Sequence, residues 1–296
     1  LMNGARVGVA AQAVGIAQGA LVAARDYAAV REQFGMRIQG IPAVADMLAE
    51  MTLQVEAARA LLYDTARVVD KARGAARALS SLHGREGKGS EEERRELKKE
   101  AKTLDRLAGL LTPMAKYFAS EMSFRVANDA VQILGGSGYM KDYPVERYLR
   151  DARITTIYEG TSQLQVVAAI RGITSGMLEP RFQELESSLR EKVAVPFLQA
   201  LGEARQHLTA AVETAKKAED PGYMDLVARP IVDLAIHVYI AHLLAEQGTH
   251  SERKALLAKR WLTSLLLLSN QVHDRVESGE RSTLDQFEAL VYGSGI

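Results

Sequence analysis

The sequence predicts an all-α protein, built as two helical bundles in series. Three observations predict it. Apolar residues are 47% of the 296, aromatics only 6% and prolines 7 in all, and the long Ala/Leu/Glu/Arg/Lys stretches hold side chains that lose little rotamer freedom in a helix. Apolar positions recur at spacings of three and four, and no strand-like alternation of useful length breaks the pattern. Glycines and prolines punctuate the periodic stretches. A chain of this length can bury one large core or two modest ones.

The first element is expected over 5–29, rich in Ala, Gly and Val, with Val7, Val14 and Leu21 recurring every seven residues. Small side chains there let a helix approach its neighbours closely. Gly35 and Gly40 interrupt it, and Pro42 is placed to open the next helix as a first-turn residue. That helix carries Val44, Met47, Leu48, Met51, Val55, Ala58 and Leu62 as a one-sided stripe running toward Val69, with a polar opposite face. A glycine-rich loop is expected at 83–89, then Ser90 and Glu93 at capping-box spacing. The dense charge that follows reads as a solvated helix face.

Thr112-Pro113 repeats the start signal for a separate helix to about Leu134, ended by Gly135, Gly136 and Gly138. Pro144 opens a short segment through Arg150, and another helix is expected over 162–173. Three more follow at 189–215, 226–247 and 255–276, the last with Leu257, Trp261, Leu265, Leu268 and Val272 on one stripe. The resulting division is 1–173 and 174–296.

Charge and composition exclude several classes. Thirty-seven basic residues balance thirty-seven acidic ones, so no field of one sign exists to hold nucleic acid or an anionic lipid surface. With no cysteine there is no disulfide framework, zinc thiolate or thiol nucleophile, which suits a reducing cytoplasm, the expected location. The longest apolar run, 261–268, is short of the ~20 residues of a spanning helix, so a soluble chain without a transmembrane segment is expected.

Among candidate motifs, LGGSGY at 134–139 lacks the third glycine of a dinucleotide fingerprint and follows a helix instead of a strand. His242, Glu246 and His250 share a helical face but lack the further converging groups of a metal site; no metal is expected. Glu159 follows the β-branched and aromatic run Ile154 to Tyr158 and precedes Gly160, which places it on a loop between helices. Two readings stay open from the residues alone. Desolvation by neighbours can raise a loop carboxylate into general-base range; alternatively Glu159 joins the first turn of the next helix, near its positive dipole end, with Thr161 or Ser162 as cap.

Four segments, in order, resemble the acyl-CoA dehydrogenase family: REQFG at 31–35, VADMLAEMTLQVEAARALLYDTA at 44–66, MAKYFASEMSFRVANDAVQILGGSGY at 114–139 and YPVERYLRDARITTIYEGTSQLQ at 143–165. The resemblance implies a four-helix up-down bundle of that family's C-terminal type over 1–173. The remainder, 174–296, is similar to the additional C-terminal helical region of larger members. It further implies the C-terminal portion of a longer enzyme that dehydrogenates acyl-CoA thioesters at the α,β bond with FAD as cofactor.

By the same resemblance Glu159 is the base that takes the α-proton, its backbone N–H polarising the thioester carbonyl. Relatives that carry the base on the first helix do so where this chain has Ala5, which cannot serve. Arg31, Gln33, Phe34, Gln132, Gly135 and Gly136 match cross-subunit FAD contacts. Thr161 and Gln163 match flavin-nucleotide contacts, and Tyr158, Gly160 and Arg171 match positions on the acyl-CoA side. Pro42 departs from the glutamine many members carry. Expected partners are an acyl-CoA substrate, a second copy or a tetramer of the chain, and an electron-transferring flavoprotein or similar acceptor. An acyl-CoA oxidase and a silent helical assembly subunit are the alternatives.

Overall fold

The structure, a computed structural model, describes residues 2–83 and 91–293, and the loop expected at 83–89 with its capping Ser90 lies almost wholly outside them. The chain divides into two compact units, residues 1–165 and 166–296. The all-α expectation is met: two-residue strands aside, every regular element among the described residues is helical.

The first unit runs α1 (Met2–Val30), β1 (Glu32–Gln33), β2 (Met36–Arg37), a 3₁₀ turn (Ile38–Gly40), α2 (Pro42–His83), α3 (Glu91–Leu134), α4 (Gly136–Tyr139) and α5 (Val145–Thr155). The next helix, α6 (Ser162–Thr174), begins in it and continues into the second unit. α1 lays its small residues inward: Ala10, Ala13, Ala17, Ala20, Ala24 and Ala28 are all fully buried, and α1 packs on α2, α3 and α5. A seam of alanines lets backbones approach at the short end of the helix-packing range. Pro42 does open α2, but from Met51 to Leu62 burial reaches beyond one stripe to Leu53, Ala57, Ala60 and Leu61, so the polar face is narrower than expected.

Three expectations for this unit are corrected. α3 is one helix through Pro113, with no start there. A proline inside a helix costs about 3 kcal/mol, but Leu110, Leu111, Thr112, Met114 and Ala115 around it are all buried, and that packing outweighs the lost bond. α5 continues past Arg150 to Thr155 because Thr155, itself fully buried, satisfies its hydroxyl on the Ala152 carbonyl at 2.7 Å. The chain also forms a small hairpin, with Glu32 opposite Arg37 and Gln33 opposite Met36. A two-residue ladder offers no alternation to read. The charged stretch at the start of α3 is largely exposed, a solvated face as expected.

The second unit continues with α7 (Glu179–Leu189), α8 (Val195–Lys217), α9 (Pro221–Gly248), α10 (Glu252–Glu277), α11 (Ser282–Asp285) and α12 (Phe287–Tyr292). The helix expected at 189–215 is corrected to α8, preceded by a separate α7: the backbone leaves the helical region at Ala194 (ψ 138°), and Pro196 sits in the first turn of α8, where its missing N–H has no helical partner to lose. α9 starts at Pro221, earlier than expected, since Asp220 caps it by accepting from the Gly222 and Tyr223 N–H groups at 2.8 and 3.3 Å. Trp261 anchors this core, stacked on His237 at 4.8 Å and donating its indole N–H to the His237 carbonyl at 2.9 Å.

His242 is fully buried against Phe182, with Nδ1 on the Val238 carbonyl at 2.8 Å and Nε2 facing Glu186 at 3.3 Å. Glu246 and His250 are exposed, so the three do not converge. Gly4–Val30 of α1 and Pro221–Gly248 of α9 are long and apolar enough to cross a bilayer on length and composition, although 72% of the α9 window is buried inside the protein.

Candidate functional site

Glu159 sits on the loop between α5 and α6, where the chain turns sharply. Glu159 has φ 53° and Gly160 φ 90°, left-handed conformations that cost an L residue about 1–2 kcal/mol and persist where surroundings over-determine them. The surroundings here are specific. Lys116, fully buried on α3, donates from Nζ to the Gly160 carbonyl at 2.8 Å. Gln165, 1% exposed, donates from Nε2 to the Glu159 and Gly160 carbonyls at 3.3 and 3.1 Å. The Tyr158 hydroxyl bonds Gln12 of α1. The Ser162 hydroxyl donates to Glu121 at 2.5 Å and its N–H to the Thr156 carbonyl at 2.9 Å.

Gly160 has a second reason to be glycine, for a Cβ there would lie 2.7 Å from the Gln165 amide nitrogen. Thr161 acts as the N-cap of α6, its hydroxyl accepting from the Leu164 N–H at 3.4 Å; Glu159 thus stands before the helix and not in its first turn. Burial pulls the Lys116 ammonium down to about 8, opposed by the nearby Glu121 and Glu159 carboxylates. Tyr158 is raised by desolvation and then by Glu159.

The Glu159 side chain is exposed. Among the described residues, none desolvates it. Among the described residues, none accepts a hydrogen bond from the Glu159 or Gly160 N–H. The loop thus presents a carboxylate and uncommitted amide donors together. Thr161 and Gln163 are exposed beside it and Tyr158 is half-buried, whereas Arg171 belongs to the second unit, exposed in the last turn of α6.

The other candidates gather at a different end of the first unit. A cleft of about 560 Å³ is lined by Tyr27, Val30, Arg31, Ser137 and Tyr143 among others, which brings the start of the hairpin to the glycine-rich turn after α3. Tyr27 packs edge-on against Tyr143 at 5.7 Å and meets the Ser137 hydroxyl at 3.4 Å. Arg31, Gln33 and Gln132 are exposed. Phe34 is 91% exposed and, with Gly35, occupies a two-residue turn at φ 54° and 78°. A bulky residue at positive φ is an outlier.

The three glycines after α3 differ in what requires them. Gly135 takes φ 59° and ends the helix. Gly138 cannot carry a Cβ, which would fall 2.6 Å from the Val131 carbonyl oxygen. Gly136 has neither a positive φ nor a crowding neighbour among the described residues. Arg31 gives this cleft a guanidinium, and Ser137 of the glycine-rich turn lines its other side, a lining that suits a phosphate-bearing ligand.

The two groups are well separated. Gly160 is fastened at Lys116 and Gly135 follows Gln132 on the same helix α3, sixteen residues apart, or about 24 Å along the axis. On α1 the anchors Gln12 and Tyr27 are fifteen residues apart, about 22 Å. Lys116, Gln165 and Gln12 escaped sequence reasoning. The available signal was Lys116, the one charged residue in the otherwise apolar or hydroxyl-bearing run 110–120.

Relaxing the Phe34 turn gives a first expected result. Phe34→Gly should leave the stability of the first unit unchanged or raise it by no more than about 1 kcal/mol, and thermal melting checks this.

Comparison with known proteins gives one family. The model of the acyl-CoA dehydrogenase C-terminal domain matches residues 1–83 and 95–174. The chain is 40% identical over 173 residues to the caffeyl-CoA reductase–Etf complex subunit CarC of Acetobacterium woodii, covering 58% of this chain and 36% of that one. It is 44% identical over 164 residues to an acyl-CoA dehydrogenase of Bacillus subtilis, covering 55% and 35%. The chain spans about a third of the length of these curated relatives. A solved acyl-CoA dehydrogenase from Bacillus anthracis, complexed with FAD, superposes on all of this chain and 52% of its own, with TM-score 0.72 and 21% identity, a likeness of fold.

Proposed function

Since the chain belongs to the acyl-CoA dehydrogenase family through that family's C-terminal domain, we propose that it supplies the base and part of the flavin site of an FAD-dependent acyl-CoA dehydrogenase. The observation that carries this reading is the Glu159–Gly160 turn, strained, tethered through both carbonyls and left with free N–H groups. A helical scaffold would need none of these features.

Glu159 takes the α-proton of the acyl thioester as the electron pair of that C–H bond moves toward the carbonyl. The Glu159 N–H donates to the thioester oxygen, where negative charge develops, a contact stronger in the transition state than in the ground state. When bound, FAD supplies the acceptor for the β-hydrogen, which leaves as hydride. The exposed carboxylate acquires its dry surroundings only once substrate and cofactor cover it, which couples its basicity to binding. Tyr158 and Gly160, which flank the base, are the residues assigned to the acyl-CoA side.

Thr161 and Gln163, at the N-terminal end of α6, face the flavin nucleotide of the same chain. Arg31, Gln33, Phe34, Gln132, Gly135 and Gly136, some 20 Å or more away along the bundle, face the flavin of a second copy, so the working unit is at least a dimer. Electrons leave to an electron-transferring flavoprotein, a partner of the kind named for the CarC relative.

Anaerobic addition of acyl-CoA thioesters of graded chain length to the full-length, flavin-loaded gene product tests the reading. Bleaching of the flavin by one chain-length class is expected; an unbleached flavin across the panel contradicts it. Residues 1–296 alone should bind FAD weakly by equilibrium dialysis, because the rest of its cradle is supplied from outside this chain. Tight binding would contradict that division.

A further inference from the structure

We infer that Lys116 is a positioning residue for the base: its buried ammonium holds the Gly160 carbonyl so that the Glu159 carboxylate and N–H face the thioester together. The inference rests on the assignment of Glu159 as base.

A lysine is a costly way to fill a bundle core. An unbranched apolar side chain would occupy the same space without desolvating a charge. Lys116 is nevertheless fully buried on α3, and its acceptor is the carbonyl one residue after Glu159, at 2.8 Å. That carbonyl also takes the Gln165 amide at 3.1 Å, which fills both of its lone pairs. The preceding carbonyl, of Glu159 itself, takes Gln165 at 3.3 Å. With two consecutive carbonyls drawn toward the bundle, the N–H groups of the same residues have no partner among the described residues. The tether therefore sets the orientation of the group that polarises the substrate as well as the one that deprotonates it.

Charged groups facing Lys116 are Arg6 from α1, Glu121 from α3 and Glu159 from the loop. Burial brings the ammonium from 10.5 to about 8 in the folded protein, which gives the two possible roles of Lys116 opposite pH signatures. Between those values the unfolded chain holds a proton that the folded chain has lost, so this group makes the fold more stable as pH rises from about 8. The tether, in contrast, loses its charge assistance over the same range. A lysine that serves only packing leaves the rate untouched there; a positioning lysine makes the rate fall while stability rises.

The test is stopped-flow reduction of the flavin-loaded, full-length protein from pH 6.5 to 9.5, using an acyl-CoA thioester that bleaches the wild-type flavin. Melting temperature and flavin content are recorded in parallel. The wild-type rate is expected to fall through about pH 8. Lys116→Met is expected to retain flavin, to reduce about ten- to a hundredfold more slowly below pH 8 and to show no fall through that pH. A wild-type rate and pH profile in Lys116→Met would overturn the inference. Glu159→Gln separates the two claims: if it is inactive while Lys116→Met is normal, only the positioning role fails, whereas normal reduction by Glu159→Gln removes the base assignment beneath it. Should Lys116→Met not yield flavin-loaded protein, Gln165→Met tests the same tether through its second donor. A rate about two- to tenfold lower is expected, and an unaltered rate would overturn the inference.

Discussion

Glu159→Gln in the flavin-loaded, full-length protein is expected to slow flavin bleaching by acyl-CoA about 10²- to 10⁴-fold while leaving flavin content and melting temperature unchanged. Glutamine keeps the size of the side chain and the backbone of the turn, but its amide cannot accept the α-proton. Stability should hold because the Glu159 side chain is exposed, and exposed substitutions away from special contacts usually stay within about 0.5 kcal/mol. The effect should fall on kcat with little change in KM. The Glu159 N–H, without a partner among the described residues, survives the substitution, so on the proposed reading the thioester oxygen keeps its donor and ground-state binding is retained. A rise in KM at constant kcat would assign Glu159 to substrate binding and take the chemistry elsewhere.

Gly160→Ala is expected to damage both fold and rate. At φ 90° a Cβ adds about 1–2 kcal/mol of backbone strain. It would also sit 2.7 Å from the Gln165 Nε2, and Gln165 cannot move aside without releasing the Glu159 and Gly160 carbonyls. Together these should destabilise the first unit by about 2–3 kcal/mol and slow flavin reduction by about tenfold or more through misdirection of Glu159. Chemical denaturation and stopped-flow reduction measure the two. The double substitution with Gln165→Ala should be milder than the sum of its parts, because removing the amide relieves the clash. Full additivity would show that Gln165 is not what the new methyl meets.

Much of this architecture was legible because it depends on apolar spacing. The small-residue face of α1 and the Trp261 stripe of α10 follow from a period that survives in the folded protein, and α2 opens at Pro42 as proline's first-turn preference requires. Local signals misled where packing overrode them. Thr112-Pro113 has the chemistry of a helix start, yet the buried residues on either side keep α3 continuous. Pro196 and the Asp220–Pro221 cap, by contrast, are local signals that a reading by apolar period alone passed over.

The site divides in the same way. A glutamate before a glycine places a loop, and family resemblance attaches a role to it. The left-handed backbone at Glu159 and the second reason for glycine at 160 depend on Gln165, which reaches back across the turn. Lys116 lies 43 residues from Glu159 in sequence, and its hydrogen bond to Gly160 exists only once α3 and the loop are packed. Residues that tether such a loop carry little local pattern, since their partners are backbone carbonyls that any sequence provides.

The central claim is that Glu159 removes a proton from the carbon next to the thioester, and isotope exchange measures that step apart from hydride transfer. Flavin-loaded, full-length protein would be incubated in D₂O with an acyl-CoA analogue that can lose its α-proton but cannot pass a β-hydride, and deuterium at the α-carbon followed by NMR. Wild-type protein should exchange the α-hydrogen with solvent, and Glu159→Gln should exchange it at least about a hundredfold more slowly. Exchange by Glu159→Gln at the wild-type rate would contradict the account.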